Sequence, residues 1–182
     1  MERRFELIGE MTPAIWIHSV AAIAALLLGA FILWRRKGTT WHRMGGRVWV
    51  ALMLVVALSS FFISEIRQVG PFSWIHLLSL YTLGSLAVGL GVLFRKRLAP
   101  VERIAIHRAT MQNLYAGALL IAGGFTFLPD RLIGRLTFGE SYPLINVAIA
   151  VAMVLAGVWL IVQANRGRVV GRPPLQAEAR CR

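Results

Sequence analysis

Apolar residues fall in five blocks along the chain, at about 14–34, 44–64, 74–94, 106–128 and 143–164, with short polar stretches between them. Each block is about 20 residues long, the length a helix needs to cross the hydrocarbon core of a bilayer. Backbone N–H and C=O groups must find partners within the segment in lipid, so each block is expected to be helical. The pattern predicts an all-α integral membrane protein of five transmembrane helices. Residues 1–165 form one transmembrane domain, and residues 166–182 a basic tail. Helix starts are marked by Thr12-Pro13, Gly70-Pro71-Phe72-Ser73 and Tyr142-Pro143, with a cap or turn residue ahead of a proline that suits a first turn. Pro100 opens a short interfacial turn into block four, and Leu128-Pro129-Asp130 closes that block. The tail after about Gln163 reads as unfolded or partner-dependent. Trp16, Trp41, Trp49 and Trp74 are expected at the membrane–water interfaces.

Composition agrees with this pattern. Of 182 residues, 57% are hydrophobic, and the mean hydropathy is +0.66. A net charge of +12 would suggest nucleic acid, but its distribution suggests topology instead. Arg35, Arg36, Lys37, Arg43 and Arg47 surround the first loop, Arg95, Lys96, Arg97, Arg103 and Arg108 the third, and Arg166, Arg168, Arg172, Arg180 and Arg182 follow the last block. The other side holds Arg3, Arg4, Arg67, Arg131 and Arg135 among most of the carboxylates. The positive-inside rule then predicts N-out/C-in in a bacterial inner membrane, with the lipid bilayer as partner and no nucleic acid. The first block does not read as a secretory signal, because its basic cluster follows the apolar run. The single cysteine, Cys181, offers no disulfide framework.

An internal repeat adds chemistry. Trp16-Ile17-His18, then Arg35-Arg36-Lys37, then His42-Arg43 opens one hairpin; Trp74-Ile75-His76, then Arg95-Lys96-Arg97, then His107-Arg108 opens the next. Two crossings separate corresponding helices, so the repeats are parallel and imply a pseudo-two-fold axis along the membrane normal. Blocks one to four are expected to form a four-helix bundle, with block five added outside it. All four histidines of the chain belong to the repeat. The symmetry pairs His18 with His76 on the outer side and His42 with His107 on the inner side, about 25–29 Å of helix apart.

Histidine within a membrane span is costly unless used. Two imidazoles from facing helices can fill both axial positions of a b-type haem, which suits electron transfer rather than oxygen activation. The expectation is therefore two haem b groups, one near each face, held through His18, His76, His42 and His107. Arg43 and Arg108 follow the inner histidines and are candidates for the anionic propionates, with Arg47 and Arg103 close by and Arg67 nearest on the outer side. Topology alone also accounts for these arginines. Gly45, Gly46, Gly84, Gly89 and Gly117 would let helices adjust around a flat macrocycle, or simply pack. Gln112 and Asn113 could serve a ligand, a quinone or helix adhesion; Glu65 and Arg67 read as an interfacial ion pair.

The stretches His42-Arg43-x-Gly45-Gly46-Arg47 and His107-Arg108-x-x-Met111, each opening an apolar helix, resemble a bacterial family of predicted membrane proteins, domain of unknown function 2306, over roughly residues 14–128. That resemblance implies a membrane protein and no particular reaction. The histidine spacing is similar to that of cytochrome b561-type di-haem proteins. It implies outer ligands His18 and His76 and inner ligands His42 and His107, although this chain has one helix fewer and its inner histidines lie close to the basic loops.

Two rival readings stay open. One is a non-catalytic accessory subunit of a larger respiratory or photosynthetic membrane complex, with block five as the docking helix and one haem or none. The other is a metal transporter using the histidines, which fits less well because such ligands usually lie near the midplane on broken helices. No Ser/His/Asp set, HExxH motif or intramembrane carboxylate pair supports hydrolysis.

Overall fold

The computed structural model describes residues 9, 11–63, 74–129, 131–137 and 143–170, with the side chains of 74, 75 and 167–170 excepted. Glu65, Arg67 and Asp130, the turn Gly70-Pro71-Phe72-Ser73, Tyr142, the Trp74 side chain and the tail from 171 lie outside the described residues.

The described residues hold helices and no strand. Helix α1 spans Pro13–Trp34, α2 Thr40–Ser60 and α3 Trp74–Gly91, which ends in a 3-10 turn at Val92–Phe94. Helix α4 runs as Pro100–Leu114, passes through a π-helical segment at Tyr115–Ile121 and finishes as Ala122–Thr126. A short α5, Leu132–Thr137, precedes α6, Pro143–Val170. The starts follow the expected chemistry. Thr12 accepts from the Ile15 N–H at 3.4 Å, with Pro13 in the first turn of α1. Thr39 caps α2 through the His42 N–H at 3.2 Å.

Among the described residues, four helices are long and apolar enough to cross a membrane: Pro13–Trp34, Thr40–Ser60, His76–Phe94 and Pro143–Arg166. Block four is the exception among the five expected. Its first half carries Glu102, Arg103, His107, Arg108, Gln112 and Asn113, and the π segment divides its length. The helix also starts at Pro100 itself and does not pass through a separate interfacial turn. A second correction concerns the tail: α6 continues through Gln163 to Val170. Once the apolar stretch from Pro143 has nucleated the helix, each further residue adds a hydrogen bond without a new nucleation cost.

Helices α1 to α4 form a ring. Helix α1 packs along α2, α2 on α3, α3 on α4, and the π segment of α4 closes back onto α1. Helices α1 and α3 therefore lie across one diagonal, and α2 and α4 across the other. Helix α6 packs outside the ring against α4. Small residues allow that approach: a Cβ at Gly157 would stand 3.1 Å from the Ala116 carbonyl, and one at Gly124 3.0 Å from that of Ala150. The core is Ala25, Trp49, Met53, Leu86, Leu114, Tyr115 and Leu119. Trp49, expected at an interface, is buried there, and its Nε1–H donates to Ala25 O at 2.9 Å. The contact with α1 satisfies the indole donor in the interior, so the ring does not need an interface. Large apolar side chains such as Val20, Leu27, Leu80 and Leu155 point outward, as expected of surfaces solvated by lipid tails.

Helix α5 is held by Asn146 of α6, which is fully buried. Its Nδ2 donates to Gly134 O at 2.9 Å, and Thr137 Oγ1 lies 3.1 Å from its Oδ1. Asn146→Leu removes the Nδ2 donor to Gly134 O and the Oδ1 acceptor that faces Thr137. It should cost about 1–3 kcal/mol and raise hydrogen exchange across 131–137 while α1 to α4 stay protected. Unchanged exchange there would show that α5 is held by other contacts.

Candidate functional site

The ring order sets the histidines at its two ends. His18 lies in the second turn of α1, and its Nδ1 is 3.0 Å from Val56 O and 3.2 Å from Ser59 Oγ. A carbonyl oxygen can only accept, so Nδ1 carries the proton and the lone pair is on Nε2. The Ser59 hydroxyl donates to Val55 O at 2.6 Å, which turns a lone pair toward the imidazole. His76, at the start of α3, is buried and packs against the Phe61 ring at 5.5 Å between centroids. Ser60 of α2 and Ser79 of α3 are hydrogen-bonded and buried close by. The end of α2 thus contacts both His18 of α1 and His76 of α3.

At the other end His107 Nδ1 lies 2.7 Å from Gly89 O, so this imidazole is held in the same tautomer as His18. Gly89 makes the approach possible, because a Cβ there would run into the end of Met111 and stand 3.2 Å from Thr110 Cγ2. His42 lies in the first turn of α2, the helix diagonal to α4. Its Nδ1 is buried without a hydrogen-bond partner.

The arginines divide differently from the expectation. Arg43 and Arg108 are exposed, and Arg43 turns back onto its own helix start, 3.3 Å from Gly38 O and 3.4 Å from Thr40 Oγ1. Arg103, one turn before His107, is half-buried; its Nη1 donates to Leu93 O at 3.2 Å, and its Nε is buried without a partner. Of the five glycines singled out, Gly89 sits at a tight contact, a Cβ at Gly45 would stand 3.4 Å from Ile32, one at Gly117 would make only ordinary contact with Tyr81, and Gly46 and Gly84 face open space. Asn113 Oδ1 is another buried atom without a partner. Among the described residues no three His, Cys, Asp or Glu side chains converge on one point.

Two features escaped the sequence. The π segment brings Tyr115 inward, where its hydroxyl donates to Leu26 O at 3.1 Å. Such segments often mark functional positions in helices, but only the glycines around it hinted at a break. The second is the burial of the span hydroxyls Ser59, Ser60, Ser79 and Thr82, of which Ser60 and Ser79 hydrogen-bond between α2 and α3. The spacing of His76, Ser79 and Thr82 on one helix face could have signalled it.

No curated protein and no solved structure matches the chain. One family does match, over residues 15–162, and the match takes in α6 as well as the four-helix ring. The chain belongs to that family, described as "Predicted membrane protein (DUF2306)".

Proposed function

We propose that this protein is a b-type membrane cytochrome that carries electrons across or along a bacterial inner membrane. In this reading the chain crosses five times, N-out/C-in, with α1–α2 and α3–α4 as parallel repeats. The observation that carries it is the matched state of His18 and His107. Each donates Nδ1–H to a backbone carbonyl of the neighbouring helix, so each holds a fixed ring with its Nε2 lone pair available. Metal-ligating histidines use this arrangement, which fixes the tautomer and raises ligand basicity. His76 and His42 lie on the diagonal partners, α3 and α2. A haem iron with two imidazole ligands would supply one-electron chemistry without an open position for oxygen.

Such a group would sit at the two ends of the ring, because Trp49, Met53, Leu114 and Tyr115 fill its middle. At the inner end the unpartnered Nε of Arg103 suits a carboxylate better than the exposed guanidiniums of Arg43 and Arg108. Quinol, a soluble cytochrome or a partner subunit would supply or take the electron.

The test is a dithionite-reduced minus oxidised visible spectrum of the purified protein with haem counted per chain. The expected result is an α-band of a low-spin b-type haem and about two haems per chain. One haem would keep the pairing at a single end. No haem in intact protein would overturn the proposal and leave the accessory-subunit reading.

A further inference from the structure

We propose that the rim formed by the α1–α2 and α3–α4 loops binds anionic phospholipid headgroups. Two matching segments carry the argument, Leu33-Trp34-Arg35-Arg36-Lys37 and Leu93-Phe94-Arg95-Lys96-Arg97. Each puts an aromatic residue and three cations at the C-terminal end of a helix, and all six cations are exposed. Cations are favoured there by the helix dipole and the last carbonyls. The two ends satisfy equivalent carbonyls: Lys37 Nζ donates to Leu33 O at 2.6 Å, and Arg103 Nη1 donates to Leu93 O at 3.2 Å. Arg35 lies 5.3 Å from the Phe31 ring centroid. These contacts hold charge at the rim without neutralising it. Glu102 is the only acidic residue among the described residues, and its Oε2 is engaged by the Ala99 N–H at 3.1 Å.

The unneutralised charge needs anions, and the neighbouring rings indicate their source. Trp34 is 93% exposed and Phe94 82% exposed. The Trp34 indole is favoured at headgroup depth, where one side is apolar and the other wet, and the Phe94 ring gives acyl chains an apolar anchor beside the cations. Both loops are five residues or fewer, 35–39 and 95–99, so their cations stay near that depth. A soluble acidic partner would be served by the charges but not by the rings. The positive-inside rule orients the chain; the paired aromatic–cation segments go further and make a recognition surface. This inference does not depend on the electron-transfer reading.

The experiment compares phosphatidylglycerol with phosphatidylcholine retained by protein purified from mixed-lipid nanodiscs. Wild type, R35Q/R36Q/K37Q and R95Q/K96Q/R97Q are measured, with R131Q/R135Q as the control. Each cation at an anionic surface contributes about fivefold in partitioning. Each triple variant should therefore lose at least about tenfold of the wild-type preference, and the control should keep it. R35K/R36K and R95K/R97K should also keep it, because charge is retained. In wild type the preference should fall as ionic strength rises, which tests the idea even if a triple variant does not fold. A wild type without preference, folded triple variants with the wild-type preference, or a preference insensitive to salt would overturn the proposal. So would displacement of phosphatidylglycerol by millimolar inorganic phosphate, which would mark a free-phosphate site.

Discussion

Protein carrying His18→Ala is expected to purify with about half the haem of wild type, and the remaining haem should keep its own band and potential. In the proposed outer site His18 would hold the haem iron, and an alanine there supplies no ligand and no donor to Val56 O. His76→Ala should remove the same haem, and the double variant should lose no more than either single one, because the two residues act on one centre. His107→Ala and His42→Ala should remove the other. Ser59→Ala is the informative companion. It removes one acceptor of the His18 Nδ1–H and leaves Val56 O in place, so haem content should persist while the potential of that haem shifts. Haem per chain and a redox titration of each variant check this. An unchanged spectrum in the His18→Ala and His76→Ala proteins would remove the outer pair. Additive losses in the double variant would mean that the two histidines hold different groups.

The features legible in the sequence were those set by local chemistry. Apolar length gave the helices, and Thr12-Pro13 and Pro143 gave two of their starts, since a cap and a proline act within one turn. The features that were missed depend on neighbours. Trp49 has the composition of an interfacial residue and is buried because Ala25 on another helix offers its carbonyl. The π segment of α4 depends on α1 and α6 packing against it. The histidine positions could be paired by repeat, but which imidazole nitrogen carries the proton depends on carbonyls 38 and 18 residues away in sequence. Arg103 differs from Arg108 only in the helix face it occupies, and a charge count along the chain does not see faces.

Gly29 provides the sharpest test of the packing between the two proposed sites. A Cβ at Gly29 would stand 2.5 and 2.6 Å from two atoms of the Tyr115 ring and 2.7 Å from Trp49 Nε1. Neither ring can yield cheaply, because Tyr115 is tied to Leu26 O and Trp49 to Ala25 O, both on α1 beside the glycine. Gly29→Ala should destabilise by about 1–3 kcal/mol through overpacking, and Gly29→Val should add the loss of both hydrogen bonds, each about 1 kcal/mol. Gly46 in α2 supplies the control, since a Cβ there meets nothing within 4 Å. Gly46→Ala should be neutral or stabilise by up to about 1 kcal/mol, the usual gain of alanine over glycine inside a helix. The same chemical change is thus predicted to have opposite signs at two glycines. Reversible unfolding in mixed micelles measures both. A tolerated Gly29→Val would mean that Tyr115 and Trp49 do not close the middle of the ring, and a continuous channel between the two histidine pairs would then be open to water. That outcome would favour a transport role over two separate redox centres.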